Sequence, residues 1–393
     1  MPLHNNNLLL VNELESMALL DSRFTDMKLM NYDSAADTKR GCLSLVFKAY
    51  DVVNQKNVAL KFYDLERLND VYRVESFERE HEILSILLNQ YRCLQLASAF
   101  SRFALKIPLP NGTSAEFPCS YFAVDWVEND LDEFFLNNSA IESLDKLYLF
   151  NEIVLAIEAL HQREVFHRDI KQDNLRFLQD GIKRVVVAID LGTAARFSSL
   201  NLRSDYSVQP GAIGYSAPEA RCGLSGNRYL SHFTDKYALG CLLYELFNKD
   251  FFCRELVNRN PAYEHILSAM TSYLHGCKTD EHQFDQWKAA ISKLGTNISP
   301  VKINGFGCNV PHGIAPLLNE VLEKLTHHNF ASRPKFEWVR ARIWSAIRIL
   351  ENEERSRRSI EVIRIKREAR QLKAQRSQAK LNKYLGVQRL NDN

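Results

Sequence analysis

The sequence predicts an α+β fold built as about two lobes. Three observations predict it. The 393 residues suffice for about two units at roughly 150 residues each. Strand–turn–strand runs occur between Lys39 and Lys61 and again between Leu175 and Ile189, with turn residues between them. Apolar residues at helical spacing recur elsewhere, as in Leu147, Phe150, Val154, Ile157 and Leu160.

Composition excludes several classes. Apolar residues make up 46% and charged residues 25%, which is ordinary for a globular chain and argues against wholesale disorder. A net charge of +2 gives no global reason to invoke nucleic acid or a membrane. Met1 to Leu20 lacks a basic start and carries Glu13 and Glu15, so it does not read as a signal peptide. The apolar run Tyr237 to Phe247 contains Glu245 and is too short to span a bilayer. The eight cysteines are scattered without a Cys-x-x-Cys pair, so reduced, mostly buried thiols are expected. Together these features lead us to expect a soluble, cytoplasmic protein with no transmembrane segment.

Residues 1–35 show helical periodicity at Leu8, Val11, Leu14 and Leu19 but no motif. From Lys39 to Ala49 the pattern is a strand. The turn Asn54-Gln55-Lys56-Asn57 follows, then a second strand ending Val58-Ala59-Leu60-Lys61. Phe77, His81, Leu84 and Leu88 recur at helical spacing, as do Glu80, Ile83 and Leu87. Strand-like runs cover Leu94 to Leu105 and Ser120 to Val124. Residues 250–310 carry no motif.

The richest stretch is His167-Arg168-Asp169-Ile170-Lys171-Gln172-Asp173-Asn174. Two apolar strands joined at Gln179-Asp180-Gly181 follow it, which makes a hairpin. Asp169, Asn174 and Asp190 can therefore share its base. One carboxylate to orient a hydroxyl, with an Asn and an Asp for a metal, is what phosphoryl transfer needs. Together with Asp190-Leu191-Gly192 and Ala217-Pro218-Glu219, this stretch closely resembles the protein kinase family, of the serine/threonine type.

The resemblance implies a bilobal fold, with a small β-rich lobe and a larger helical lobe, to which the composition of the last residues adds a basic helical tail. The implied divisions are an extension at 1–35, the small lobe and hinge at 36–127, the large lobe at 128–350 and the tail at 351–393. ATP and Mg2+ are the implied cofactors. Asp169 would orient the acceptor hydroxyl and Lys171 would neutralise the transferring phosphate, while Asn174 and Asp190 would hold the metal. Lys61 would meet the ATP phosphates and pair with Glu80. Gly41, Val46 and Ala59 would surround the nucleotide. Val124 would border the adenine pocket, the backbone at Asp125 and Val127 would bind adenine, and Asp130 would reach the ribose.

The chain departs from the family pattern in two places. Of the glycine-rich loop over the phosphates only Gly41 remains, with Lys39 and Ser44 where the outer glycines belong. Ala212 stands where serine/threonine kinases usually place a threonine beside the catalytic Asp and Lys. Asp235 would anchor the His167–Asp169 turn, and Arg333 would pair with Glu219. Arg168 would bind a phosphate on the loop carrying Ser198, Ser199, Ser204, Tyr206 and Ser207.

The expected activity is γ-phosphate transfer from ATP to Ser or Thr hydroxyls of protein substrates, with autophosphorylation. The alternatives are a catalytically weak pseudokinase scaffold and a small-molecule kinase. Residues 351–393 hold twelve Lys or Arg against six acids. They predict a helix that is either solvated or packed on its own chain, or that contacts an acidic protein, nucleic acid or an anionic membrane.

Overall fold

The structure is a computed structural model. It describes residues 3–33, 38–39, 44–67, 69–108, 112–127, 131–181, 183–197, 211–248, 250–295, 298–303 and 310–391.

The small lobe is a five-stranded antiparallel sheet. Its strands are β1 (Phe24–Leu29), β2 (Ser44–Asp51), β3 (Lys56–Tyr63), β4 (Ser101–Pro108) and β5 (Ser114–Asp125), in spatial order β1-β2-β3-β5-β4. Because side chains alternate along a strand, the sheet has two differently used faces. Leu45, Phe47, Val58, Leu60 and Phe62 turn outward into a cluster with Leu10, Val11 and Leu14. Ala59, Phe122 and Val124 turn inward, toward the core shared with the large lobe. The outer cluster needs helix α1 (Asn5–Ser16), which lies on the sheet through its 10–11–14 stripe. Burying side chains of this size stabilises by roughly 1.5–3 kcal/mol each. The 1–35 stretch thus supplies the sheet with a covering helix and an edge strand.

The strand expected from Leu94 begins at Ser101 instead. The residues before it cross the end of β5, where the amides of Ala97 and Ser98 both donate to the Ala123 carbonyl. Helix α2 (Val71–Ile86) is capped by Asp70, whose side chain accepts from the Arg73 amide. It buries Phe77, Glu80, Ile83 and Leu84.

The large lobe opens with α3 (Asp132–Leu136) and α4 (Ser143–His161). The hairpin of β6 (Leu175–Asp180) and β7 (Lys183–Ala188) follows, in register from Lys183 opposite Asp180 to Ala188 opposite Leu175. Gly181 at its turn has φ 59°. Helix α5 (Ser231–Phe247) is buried along nearly its whole length. Helices α6 (Phe252–Arg259), α7 (Tyr263–Ser272), α8 (Asp280–Leu294) and α9 (Ala315–Leu325) pack around it.

The last helix, α10, runs from Phe336 to Asn391 without a break at residue 350. Its first turns bury Val339, Ile343, Ala346, Ile347 and Leu350, and Arg340 donates to Glu158 of α4 at 2.7 Å. From residues 354 to 380 every side chain is exposed. Pairs such as Glu351–Arg355, Glu353–Arg357 and Glu354–Arg358 line the start of that projection, the spacing at which opposite charges support an isolated helix.

Candidate active site

Lys61 lies on the inward face of β3, directly opposite Val46 of β2. Ala59 pairs with Val124 of β5. The ammonium of Lys61 reaches both carboxylate oxygens of Glu80 on α2, at 2.6 and 2.5 Å. Glu80 is 1% exposed and also accepts the Leu191 amide at 3.2 Å. Burial holds its carboxyl above the ordinary value, with the Lys61 charge pulling the other way. The pair therefore joins the sheet, α2 and the segment after Asp190.

At the lobe junction, the amide of Asp125 donates to the Gln95 carbonyl, and its carboxylate meets Lys56 at 2.6 Å. Val127 is half-buried. Gly41 and Asp130 lie outside the described residues.

The His167–Asn174 turn is fixed from below. Asp235 of α5 accepts the amides of His167 and Arg168, both at 2.8 Å, and the His161 ring at 2.9 Å. Burial by itself would raise the Asp235 carboxyl; these bonds hold it below the ordinary value. Arg168 and Asp190 sit at φ 65° and 62°, a region that side chains other than glycine rarely adopt. Such strain persists only where the surroundings impose it. Here the Asp235 bonds hold the first residue. The His167 ring on the Ile189 carbonyl, at 2.8 Å, ties down the neighbour of the second.

Asp169 and its partners form the centre. Its Oδ2 meets Lys171 at 3.2 Å and accepts from Asn174 Nδ2 at 3.0 Å. Its Oδ1 accepts the backbone amide of Ala212 at 2.8 Å. Lys171 stays firmly protonated, because the Asp169 and Asp190 charges outweigh its partial burial. Gly211 makes the Ala212 contact reachable. It has φ +90°, and a Cβ there would stand 2.4 Å from the Arg168 carbonyl oxygen.

Asn174 turns its amide nitrogen to Asp169, both to the carboxylate and, at 2.8 Å, to the backbone carbonyl. Its side-chain oxygen is thereby oriented away from Asp169. Asp190 lies between Ile189, whose carbonyl meets the His167 ring, and Leu191, whose amide meets Glu80, which sets it between the two halves of the site. One carboxylate and one carboxamide oxygen suit Mg2+, which keeps several waters and takes few protein ligands. Among the described residues no cluster of three or more His, Cys, Asp or Glu offers a denser metal cage.

Beyond the centre, Arg333 forks onto both oxygens of Glu219, with Nη2 at 3.0 Å from Oε2, and both side chains are fully buried. Tyr215 donates to Glu245 of α5 at 2.6 Å. Arg168 gives its guanidinium to the carbonyls of Thr193 and Ser225, at 2.7 and 3.2 Å, and burial lowers it to about 10. Ser198, Ser199, Ser204, Tyr206 and Ser207 lie outside the described residues.

Sequence reasoning missed three participants. The His161 ring supports Asp235 but carries no motif, and the Leu191 amide has no side-chain signature. Gly211 did leave a signal, a glycine immediately before the unusual Ala212.

The protein kinase domain family matches residues 38–345. Serine/threonine-protein kinase PrkC of Bacillus subtilis is 29% identical over 208 residues, 52% of this chain and 28% of PrkC. CTD kinase subunit alpha of Saccharomyces cerevisiae is 32% identical over 130 residues, 33% of this chain and 23% of that protein. Mitogen-activated protein kinase 15 of Caenorhabditis elegans is 28% identical over 214 residues, 53% of this chain and 41% of that protein. The matched stretch spans less than half the length of each of these relatives. A family match over most of the chain, on a fold that brings together residues 114 positions apart as that family's pattern requires, places this chain in the protein kinase family.

Proposed function

We propose that the chain transfers the γ-phosphate of ATP to Ser or Thr hydroxyls of protein substrates, with autophosphorylation. The observation that carries this reading is the convergence of the Lys61–Glu80 pair, Asp169 with Lys171, Asn174 and Asp190 at the junction of the lobes. Phosphoryl transfer asks little covalent chemistry of the protein and depends on positioning and charge. Val46, Ala59 and the backbone at Asp125 and Val127 would hold the base. Lys61, set by Glu80, would hold phosphate oxygens. Asp169 would accept a hydrogen bond from the acceptor hydroxyl, and Lys171 would counter the charge of the moving phosphoryl group. Asn174 and Asp190 would hold Mg2+, which when bound neutralises charge on the phosphates.

Labelled-phosphate transfer onto the protein itself, generic protein acceptors, and a sugar or choline tests this. Transfer to protein by wild type, lost in Lys61→Met and Asp169→Asn, is the expected result. Nucleotide binding without transfer would favour a scaffold, and transfer only to the small acceptors a small-molecule kinase.

Among the described residues no helix is long and apolar enough to cross a membrane, and a cytoplasmic location accords with that. The tail supports a further reading, a polyanion contact of the nucleic-acid type. From Ala369 to Asn391 it holds six Lys or Arg and no acid. Arg370, Lys373, Arg376 and Lys380 are exposed and share one face by helical spacing, opposite Gln371, Gln375 and Gln378. Between residues 370 and 380 that opposite face carries glutamines and alanines, little to insert into lipid. Fluorescence anisotropy with RNA and DNA oligonucleotides, at two salt concentrations, should show salt-sensitive binding that residues 1–359 lack.

A further inference from the structure

Lys39, between β1 and β2, is held at the end of the sheet where β2 begins and β3 finishes. Ser44, the first residue of β2, pairs with Tyr63, the last of β3. Asp64 follows immediately and is 1% exposed. Three partners meet this buried carboxylate. Lys39, where the family pattern has its first lid glycine, forms an ion pair with Oδ2. Asn7 of α1 donates its side-chain amide to Oδ1 at 2.7 Å, and the Glu66 amide reaches the same oxygen at 3.0 Å. Asn7 is itself 1% exposed, and its Oδ1 accepts the Leu65 amide at 3.0 Å. The Lys39 side chain is 10% exposed, so the pair is shielded from solvent. Burial would raise the Asp64 carboxyl, yet the Lys39 and Asn7 bonds hold it below the ordinary value.

A glycine at position 39 would leave this point of the chain free and Asp64 short of its cation. A flexible phosphate-side segment loses entropy each time it orders on a ligand, and a segment fixed beforehand binds with less loss. We propose that Asn7, Asp64 and Lys39 are positioning residues for the nucleotide phosphates: through them α1 fixes the chain entering the phosphate side of the site, in place of the family's flexible glycine. This rests on the kinase reading above. Lys39 need not touch the nucleotide, because its charge is already committed to Asp64.

The test is binding of ATP and of adenosine to the full chain, by fluorescence competition, for wild type, Lys39→Gly, Lys39→Arg, Asn7→Ala and Lys61→Met. Lys39→Gly and Asn7→Ala should weaken ATP about 5- to 10-fold and leave adenosine unchanged, and Lys39→Arg should restore ATP binding. Melting temperatures run alongside. Equal loss for ATP and adenosine, or ATP loss that Lys39→Arg does not restore, would reduce the cluster to a structural strut. Unchanged ATP binding in Lys39→Gly and Asn7→Ala would overturn the proposal while leaving the kinase reading intact. If wild type binds no ATP and Lys61→Met changes nothing, the kinase reading and this inference fall together.

Discussion

The backbone amide of Ala212 donates to Oδ1 of Asp169 at 2.8 Å. A position that usually offers a threonine hydroxyl thus offers a main-chain donor instead. The substitution of alanine need not cost orientation of the carboxylate, provided Gly211 keeps the backbone close. Ala212 has φ −76°, within reach of a proline ring, so Ala212→Pro removes the donor with little demand on its own backbone. We expect kcat to fall about 10- to 100-fold with KM for ATP unchanged, whereas Ala212→Thr keeps the amide and stays near wild type. Steady-state kinetics decides; equal kcat for the proline variant and wild type would show the amide is dispensable.

The Lys61–Glu80 pair is buried on both sides. Removing only the cation strands a carboxylate that is 1% exposed, a loss of order 3 kcal/mol. Urea unfolding should therefore rank Lys61→Met below the double variant Lys61→Met/Glu80→Gln. If the double variant is the less stable, Glu80 is held mainly by contacts other than Lys61.

Arg333 and Glu219 have no exposed side-chain surface. Arg333→Met leaves the Glu219 charge unpaired and buried in the large lobe. The expected loss is about 3–5 kcal/mol, visible as a drop in melting temperature. Arg333→Lys should recover only part of it, because an ammonium cannot fork onto two oxygens.

Glu245 carries a pH dependence. Burial raises its carboxyl from 4.5 to about 7, despite the Tyr215 hydroxyl and the Phe252 amide that donate to it, and with Asp250 adding to the rise. A folded value above the unfolded one means the folded state holds the proton more tightly. Its stabilising effect is complete below about 4.5 and is lost as pH rises through about 7. Glu245→Gln lacks that loss. Relative to wild type the variant should gain up to roughly 3 kcal/mol between pH 4.5 and 7, then hold a constant margin. Unfolding at pH 5 and pH 8 measures it; parallel curves would mean Glu245 stays ionised in the fold.

The projecting part of α10 should be separable from the fold. Truncation after Ser359 keeps the turns that bury Val339 to Leu350 and the Tyr148–Glu351 bond. Melting should shift by no more than a degree or two, since exposed surface lying away from packed features contributes within about 0.5 kcal/mol. A larger drop would place the tail against the body in solution.

The sequence by itself identified the family and the candidate site groups. The order His167-Arg168-Asp169, Asn174, Asp190 and Glu219 with Arg333 names side chains whose type and spacing admit few other uses, and the hairpin after Asn174 could be read from its turn residues. The helix bearing Glu80 was legible too, because a 3.6-residue period survives in any context. Only the tertiary structure decided what those residues rest on. Backbone donors such as the Ala212 and Leu191 amides have no residue signature. Supports such as His161 on Asp235 and Asn7 on Asp64 are set by distances between segments far apart in the chain. The sheet's outer face is likewise a product of tertiary packing: alternation along β2 and β3 exposes an apolar surface on each side, and only the folded chain shows that α1 covers the outer one. A sequence states which groups are present and in what local pattern, whereas contact across long separations depends on how the whole chain closes.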